Sequence, residues 1–175
     1  CIRDSFKDIV KKRRSIRKFS NEKISDEDMK LILRAALMSP TSKSSRSWHF
    51  YVVDDKQKLA EISKCKSAGA DFVAEAQVAV VVLGDADASD VWIEDASIAS
   101  VTMQYQATEL GIGSCWAQIR CRNRADGVSA DDVLRELLGY PANMHALSVI
   151  AFGYPAIERK EQDESKLKWD NVHRI

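Results

Sequence analysis

Val78-Ala79-Val80-Val81-Val82-Leu83 is the longest apolar run in the chain, and its reading decides the architecture. A run this short fits a strand, and apolar side chains at every position require cover on both faces. Working outward, Trp48–Val53 reads as a second strand, rich in aromatic and β-branched residues. Lys56–Ser63 and Gly69–Glu75 read as short helices between them. Nearer the amino end, Asp4–Arg14 reads as a helix with Phe6, Ile9 and Val10 on one face and lysines on the other. Ser25-Asp26-Glu27-Asp28 has the capping pattern of a second helix. Met29, Ile32, Leu33, Ala36 and Leu37 supply its apolar stripe, and Ser39-Pro40 stops it. Downstream, Val91–Leu110 is the longest helix, ending at Gly111 as a C′ residue. Ala96, Ile98, Ala99, Val101, Met103, Ala107 and Leu110 spread apolar surface over more than one stripe, which places this helix in a core or a subunit interface. Cys115–Ile119 reads as a strand, Ser129-Ala130-Asp131-Asp132 caps a helix through Leu138, and Ala146–Phe152 is a strand ending at Gly153-Tyr154-Pro155. From about residue 156 the tail is too charged to form a core alone. Alternating helices and strands around a doubly covered strand predict one three-layer domain over 1–175, α+β or α/β.

Composition narrows the function. With 45% hydrophobic and 30% charged residues, the 175-residue chain is globular and long enough to bury a core. Its 26 basic and 26 acidic residues balance, which argues against a dedicated nucleic-acid binder. No apolar run approaches the roughly 20 residues of a membrane helix. Cys1, Cys65, Cys115 and Cys121 have neither zinc spacing nor the density of a disulfide scaffold, so reduced thiols in a cytoplasmic protein are expected. His49, His145 and His173 are scattered, and no metal constellation emerges. The chain opens at Cys1 without an initiator Met, which suggests sequence missing upstream.

Three segments carry chemistry. Arg13-Arg14-Ser15-Ile16-Arg17-Lys18-Phe19 gathers guanidinium groups, whose paired N–H donors suit phosphate, around a serine. A short basic run is also the composition of ordinary solvated surface, but the zero net charge favours a small anion over a polymer. The hydroxyl-rich loop Ser39-Pro40-Thr41-Ser42-Lys43-Ser44-Ser45-Arg46-Ser47 suits the hydrogen-bonding edge of a polar ligand, or is a flexible surface loop. Gly111-Ile112-Gly113-Ser114-Cys115-Trp116 would let backbone approach a flat ligand, although a helix cap explains Gly111 equally well.

In this order, together with Trp48, Glu94-Asp95-Ala96-Ser97 and Gly153-Tyr154-Pro155, the three segments resemble the nitroreductase family of FMN-dependent oxidoreductases over nearly the whole chain. The resemblance implies an α+β three-layer sandwich with a mixed, mostly antiparallel central sheet flanked by helices. It also implies an intertwined homodimer with FMN at the interface. By similarity, Arg13 and Ser15 bind the FMN phosphate, with Arg14 contributing or flanking, and Arg17 lies near the pyrimidine edge of the flavin. Pro40, Thr41, Ser42 and Ser44 reach the flavin from the other subunit, and Trp116, Ala117 and Gln118 run along the ring near N5. Arg159 and Lys160 are candidates for the family's carboxy-terminal phosphate contacts. The implied reaction is ping-pong: NAD(P)H passes hydride to flavin N5, and a nitroaromatic, quinone or similar flat small molecule then accepts it. No protein side chain is assigned as a catalytic acid or base, since the chemistry belongs to the cofactor. Alternatives are the same fold with other flavin chemistry, such as reductive dehalogenation or flavin fragmentation, or a non-catalytic flavin-binding dimer.

The chain departs from the common family pattern after Pro40. Many members carry Asn at the position of Ser44, Gln at that of Arg46 and Pro at that of Ser47. The stretch between Cys65 and Val78 is short, so substrate identity does not carry over. Cys115 is expected to be structural, Trp48 and Trp92 to be core or interface residues, and His49 to face outward. Glu94 and Asp95 are expected to serve the helix dipole at the start of the long helix.

Overall fold

The computed structural model describes residues 5–175, so Cys1 and the predicted first residue of the opening helix, Asp4, lie outside the described residues. Five α-helices and four strands alternate: α1 (Phe6–Lys12), α2 (Asp26–Leu37), β1 (Trp48–Val53), α3 (Lys56–Ile62), β2 (Val78–Asp85), α4 (Trp92–Glu109), β3 (Gly113–Gln118), α5 (Ala130–Leu138) and β4 (Met144–Gly153). The sheet order is β1-β2-β4-β3.

The apolar run behaves as a doubly covered strand should. Ala79, Val81 and Leu83 face a core built with α3 and α5, whereas Val80 and Val82 face one built with α2 and α4. All five are fully buried, so the sheet is the middle of three layers. All three strand pairings are antiparallel, with Trp48 opposite Gly84, Val78 opposite Phe152 and Gly113 opposite Gly153. The parallel component is a single bridge between Ser15 and Ser114, where residues 13–19 run extended along the outer edge of β3.

Several helix ends follow from their caps. The Ser25 hydroxyl accepts the Asp28 N–H at 3.0 Å, and the Ser129 hydroxyl accepts the Asp131 N–H at 3.2 Å. Gly111 takes φ +74° after α4, the left-handed conformation that a C′ glycine adopts without strain. Two predicted helices differ. Gly69–Glu75 is only a 3₁₀ turn over Asp71–Glu75, because the segment between a left-handed Gly69 and strand β2 is too short to nucleate an α-helix. Helix α1 ends at Lys12, since Arg13 (ψ 117°) has already entered the extended edge segment. None of the α1 residues is buried; Phe6 meets the Tyr105 ring edge-on at 5.4 Å yet stays 66% exposed, so the face that the sequence marks as apolar is only partly covered within this chain. The tail beyond Pro155 lies exposed against α1, with the Gln162 N–H donating to the Lys11 carbonyl at 3.0 Å.

Candidate functional site

Two glycines make the seat of the arginine segment. A Cβ on Gly113 would stand 2.9 Å from Cβ, Cγ1 and Cγ2 of Ile16, and one on Gly153 would meet the Phe19 ring and Cβ at 2.8–3.0 Å. Ile16 and Phe19 are therefore the anchors, nearly buried over the sheet edge, and Ile16 N donates to the Ser114 carbonyl at 2.9 Å. The space beside Gly113 where a side chain would stand is thus taken by Ile16 of the same chain.

With those anchors inward, alternate side chains emerge on opposite sides. Ser15, Arg17 and Lys18 line a cleft of about 150 Å³ with Ile157 and Arg159. Lys12, Arg14 and Ile16 line another, of about 380 Å³, with Gly113, Glu158 and again Arg159. The run is thus not one cradle. Arg14 lines a different cleft from Ser15 and Arg17, while Ile16 and Arg159 line both. Arg13 lines neither cleft; burial pushes the Cys115 thiol up, opposed by the charge of Arg17, a hydrogen bond with Ser15, and the charges of Arg13 and Lys66. None of the ion pairs among the described residues uses Arg13, Arg14, Arg17 or Arg159. A cluster of guanidiniums left without carboxylate partners, beside a serine, is the donor set a phosphate dianion needs. Lys66 adds a cation that the sequence did not mark; burial, then Arg122, hold it below the ordinary lysine range.

Beside this row runs the outer edge of β3. Because the Ser114 carbonyl points away from β4 to meet Ile16, alternation turns the backbone groups of Trp116 and Gln118 to the same edge. Their side chains are half-buried and joined, Trp116 Nε1 donating to Gln118 Oε1 at 2.9 Å. Ala117 is placed differently: its methyl group is buried under α5, and its backbone pairs with Val149. Lys160 is exposed and lines neither cleft.

The hydroxyl-rich loop lies elsewhere. Pro40, Thr41, Ser42 and Ser44 precede β1, the opposite edge strand, three strand spacings or about 14 Å from β3. Neither cleft of the arginine segment contains a residue of this loop. The loop has a defined, hydrogen-bonded shape. Lys43, Ser44 and Arg46 hold φ of 51°, 55° and 50°, a left-handed conformation costing roughly 1–2 kcal/mol per residue. Opposing that cost is Asp95 of α4, only 2% exposed. Its carboxylate accepts the Ser42 N–H at 2.9 Å, the Ser45 hydroxyl at 3.1 Å, and the Ser47 and Ser89 hydroxyls at 3.5 Å. Hydrogen bonds to a charged group contribute about 1.5–3 kcal/mol each, so this set can balance the strain. The expectation that Asp95 merely serves the helix dipole is thereby corrected; Glu94, exposed beside it, takes part in none of these bonds. Fifty residues separate Asp95 from Ser45, and no local signal connects them.

The remaining singled-out residues behave as expected. Trp48 is buried in the α2–α4 core and His49 is exposed. Trp92 packs over Gly84 and stacks on His145 at 6.0 Å between ring centroids. No cluster of candidate metal ligands occurs among the described residues, and no helix there is long and apolar enough to cross a membrane.

Comparison with known proteins fixes the frame. The model of the Nitroreductase family matches residues 10–70 and 64–154. A protein of Archaeoglobus fulgidus, named among NADH dehydrogenase/NAD(P)H nitroreductases, is 36% identical over 93% of this chain and 92% of its own. The structure of an FMN-dependent nitroreductase from Clostridium difficile is 44% identical and superposes with a TM-score of 0.93, covering 95% of this chain and 96% of that one. A Bacteroides thetaiotaomicron structure, again named for NADH dehydrogenase/NAD(P)H nitroreductase, is 29% identical with a TM-score of 0.88 over 98% and 97% of the two chains.

Proposed function

The chain belongs to the nitroreductase family, and from that premise we propose that it is an FMN-dependent oxidoreductase passing hydride from NAD(P)H to a nitroaromatic, quinone or similar flat acceptor in a ping-pong cycle. The observation that carries the proposal is the cleft in which Ser15 and Arg17 meet Arg159, their guanidiniums outside every ion pair of the described residues, with Arg13 next along the same extended segment at the outer edge of β3. FMN, when bound, supplies the hydride chemistry. The chain's own residues bind and orient it. Arg13, Ser15 and Arg159 would hold the phosphate, with Arg14 flanking from the second cleft. Arg17 would place positive charge at the pyrimidine edge, offsetting negative charge that develops there on reduction. The Trp116 and Gln118 backbone would align the ring along β3. The placement of Ala117 and Lys160 gives them at most an indirect part.

The loop carrying Pro40, Thr41, Ser42 and Ser44 would complete the site in a homodimer. Support for that assembly is the apolar surface left uncovered on α1, α2 and α4. Phe6, Ile9, Leu31, Ala35 and Tyr105 line a groove of about 400 Å³ there, and Leu37 and Met38 are more than half exposed. The proposal treats 1–175 as a single FMN-binding domain with a charged extension from about 156, working in the cytoplasm.

Equilibrium titration with FMN and with riboflavin tests the phosphate assignment directly. Arg13→Ala should weaken FMN binding by roughly 10- to 100-fold, the worth of one charge-assisted contact, while leaving riboflavin binding unchanged. NADH or NADPH should bleach the bound flavin without oxygen, and an acceptor should restore its colour. If wild-type protein saturated with FMN is colourless after desalting, the reading fails.

A further inference from the structure

The clamp on the 41–47 loop goes beyond the proposed function, although it rests on that reading. We propose that Asp95 is the positioning residue of the flavin site, holding the hydroxyl-rich loop in its binding shape before any ligand arrives. Three observations converge on it. A carboxylate at 2% exposure is turned away from solvent and toward a loop some fifty residues distant in sequence. That loop keeps three non-glycine residues at positive φ within four positions, a conformation no local preference of Lys, Ser or Arg selects. The bonds are also divided in a particular way. Asp95 takes the Ser42 N–H and the Ser45 and Ser47 hydroxyls, and the Thr41 hydroxyl accepts the Arg46 N–H at 3.1 Å. The hydroxyls of Ser42 and Ser44 are engaged by none of these bonds, and Lys43 and Ser44 are turned outward.

Functionally, this is preorganisation. A loop ordered in advance binds without losing conformational freedom at the moment of contact. Strained backbone that persists because its surroundings over-determine it is characteristic of ligand clamps. Asp95 itself is too deeply buried to touch a ligand, so it acts through Ser42, Lys43 and Ser44.

The test compares wild type, Asp95→Ala and the double variant Ser45→Ala/Ser47→Ala as full-length protein. Titration with FMN and riboflavin is paired with peptide-resolved hydrogen exchange on the flavin-free forms. Asp95→Ala should weaken both flavins tenfold or more and by equal factors, because the phosphate grip is untouched, in contrast to Arg13→Ala. Exchange should quicken in the 41–47 peptide while β2 and β4 stay protected. The double variant, which leaves the carboxylate in place, should show the same pattern more weakly and covers the case in which Asp95→Ala does not fold. Wild-type flavin affinity in the variants overturns the inference alone, as does quickened exchange spread across β2 and β4 in both of them. Failure of wild type to bind either flavin overturns the proposed function and this inference with it.

Discussion

Substituting Gly113 by Ala tests how the site is seated. Gly113 has no left-handed φ, so alanine suits its backbone and the variant probes contact alone. The new methyl would meet three Ile16 atoms at 2.9 Å, including the Cβ, which cannot swing away like the end of a flexible chain. Ordinary carbon contacts begin near 3.5–4.0 Å, so Ile16 must retreat by roughly 0.5–1 Å against its own bond to Ser114. Overpacking of this kind costs about 1–3 kcal/mol, which for a domain of this size lowers Tm by about 3–10 °C. Ser15 and Arg17 flank Ile16 on the same backbone and would move with it, so FMN affinity should fall as well. The control is Ile16→Ala, expected to cost about 2–3 kcal/mol by itself, at the low end for a buried isoleucine. Ile16→Ala removes Cγ1 and Cγ2 but keeps the crowded Cβ, so Gly113→Ala should cost less on that background than in wild type, a favourable coupling of about 1 kcal/mol in the double-mutant cycle. Thermal or urea melts supply the stabilities and flavin fluorescence the affinities. Strict additivity of the two substitutions would refute the reasoning, as would a Gly113→Ala protein with unchanged Tm and FMN affinity.

Two further outcomes are expected. Burial raises the Asp131 carboxyl, but bonds from the Ala146 N–H, Tyr140, His145 and Arg135 outweigh it and hold the group below the ordinary aspartate range. A depressed carboxyl contributes stability above its unfolded value of about 3.9 and loses it as pH falls through the folded value; Asp131→Asn should therefore cost about 2–4 kcal/mol near neutrality, with urea melts showing that gap closing in acid. Burial also pushes the Cys65 thiol up to about 11 and raises Cys115, whereas Cys121 is exposed; peptide mapping after iodoacetamide should find Cys121 alkylated and the other two protected until unfolding, and rapid labelling of native Cys115 would contradict its structural role.

Much of the fold was legible because its signals are local. An unbroken apolar run such as 78–83 can only be a covered strand. Ser25 and Ser129 cap helices through bonds spanning two or three residues. The candidate binding segments were legible for a related reason, since guanidinium and hydroxyl chemistry is written in residue type. What escaped was set by contacts between distant segments. Gly113 reads as a ligand-facing glycine and Gly153 as the end of a strand until Ile16 and Phe19 are seen occupying the places of their missing side chains. Residue type alone does not tell that Arg14 lines one cleft and Ser15 and Arg17 another. Asp95 carries the right charge for its own helix end, so the local explanation was sufficient and hid the long-range one.

The same contrast bears on why a homodimer is the natural completion of the proposed site. Within one chain, the arginine row lies at the β3 edge and the clamped loop precedes β1, with the whole sheet between them. No hinge of a sheet buried on both faces could bring those edges together without breaking its core. In the proposed dimer a two-fold axis would solve this without deformation, because an isologous interface would set the loop of each copy against the arginine row of the other and create two sites at once. Helix α1 is where assembly and binding meet, since it ends one residue before Arg13 yet buries none of its own apolar side chains in the chain. Covering Phe6 and Ile9 with a second copy would fix the helix that leads into the phosphate row. On this view the incomplete burial of α1 and the separation of the two binding segments are one fact, and flavin affinity and dimer stability must strengthen each other by the same factor.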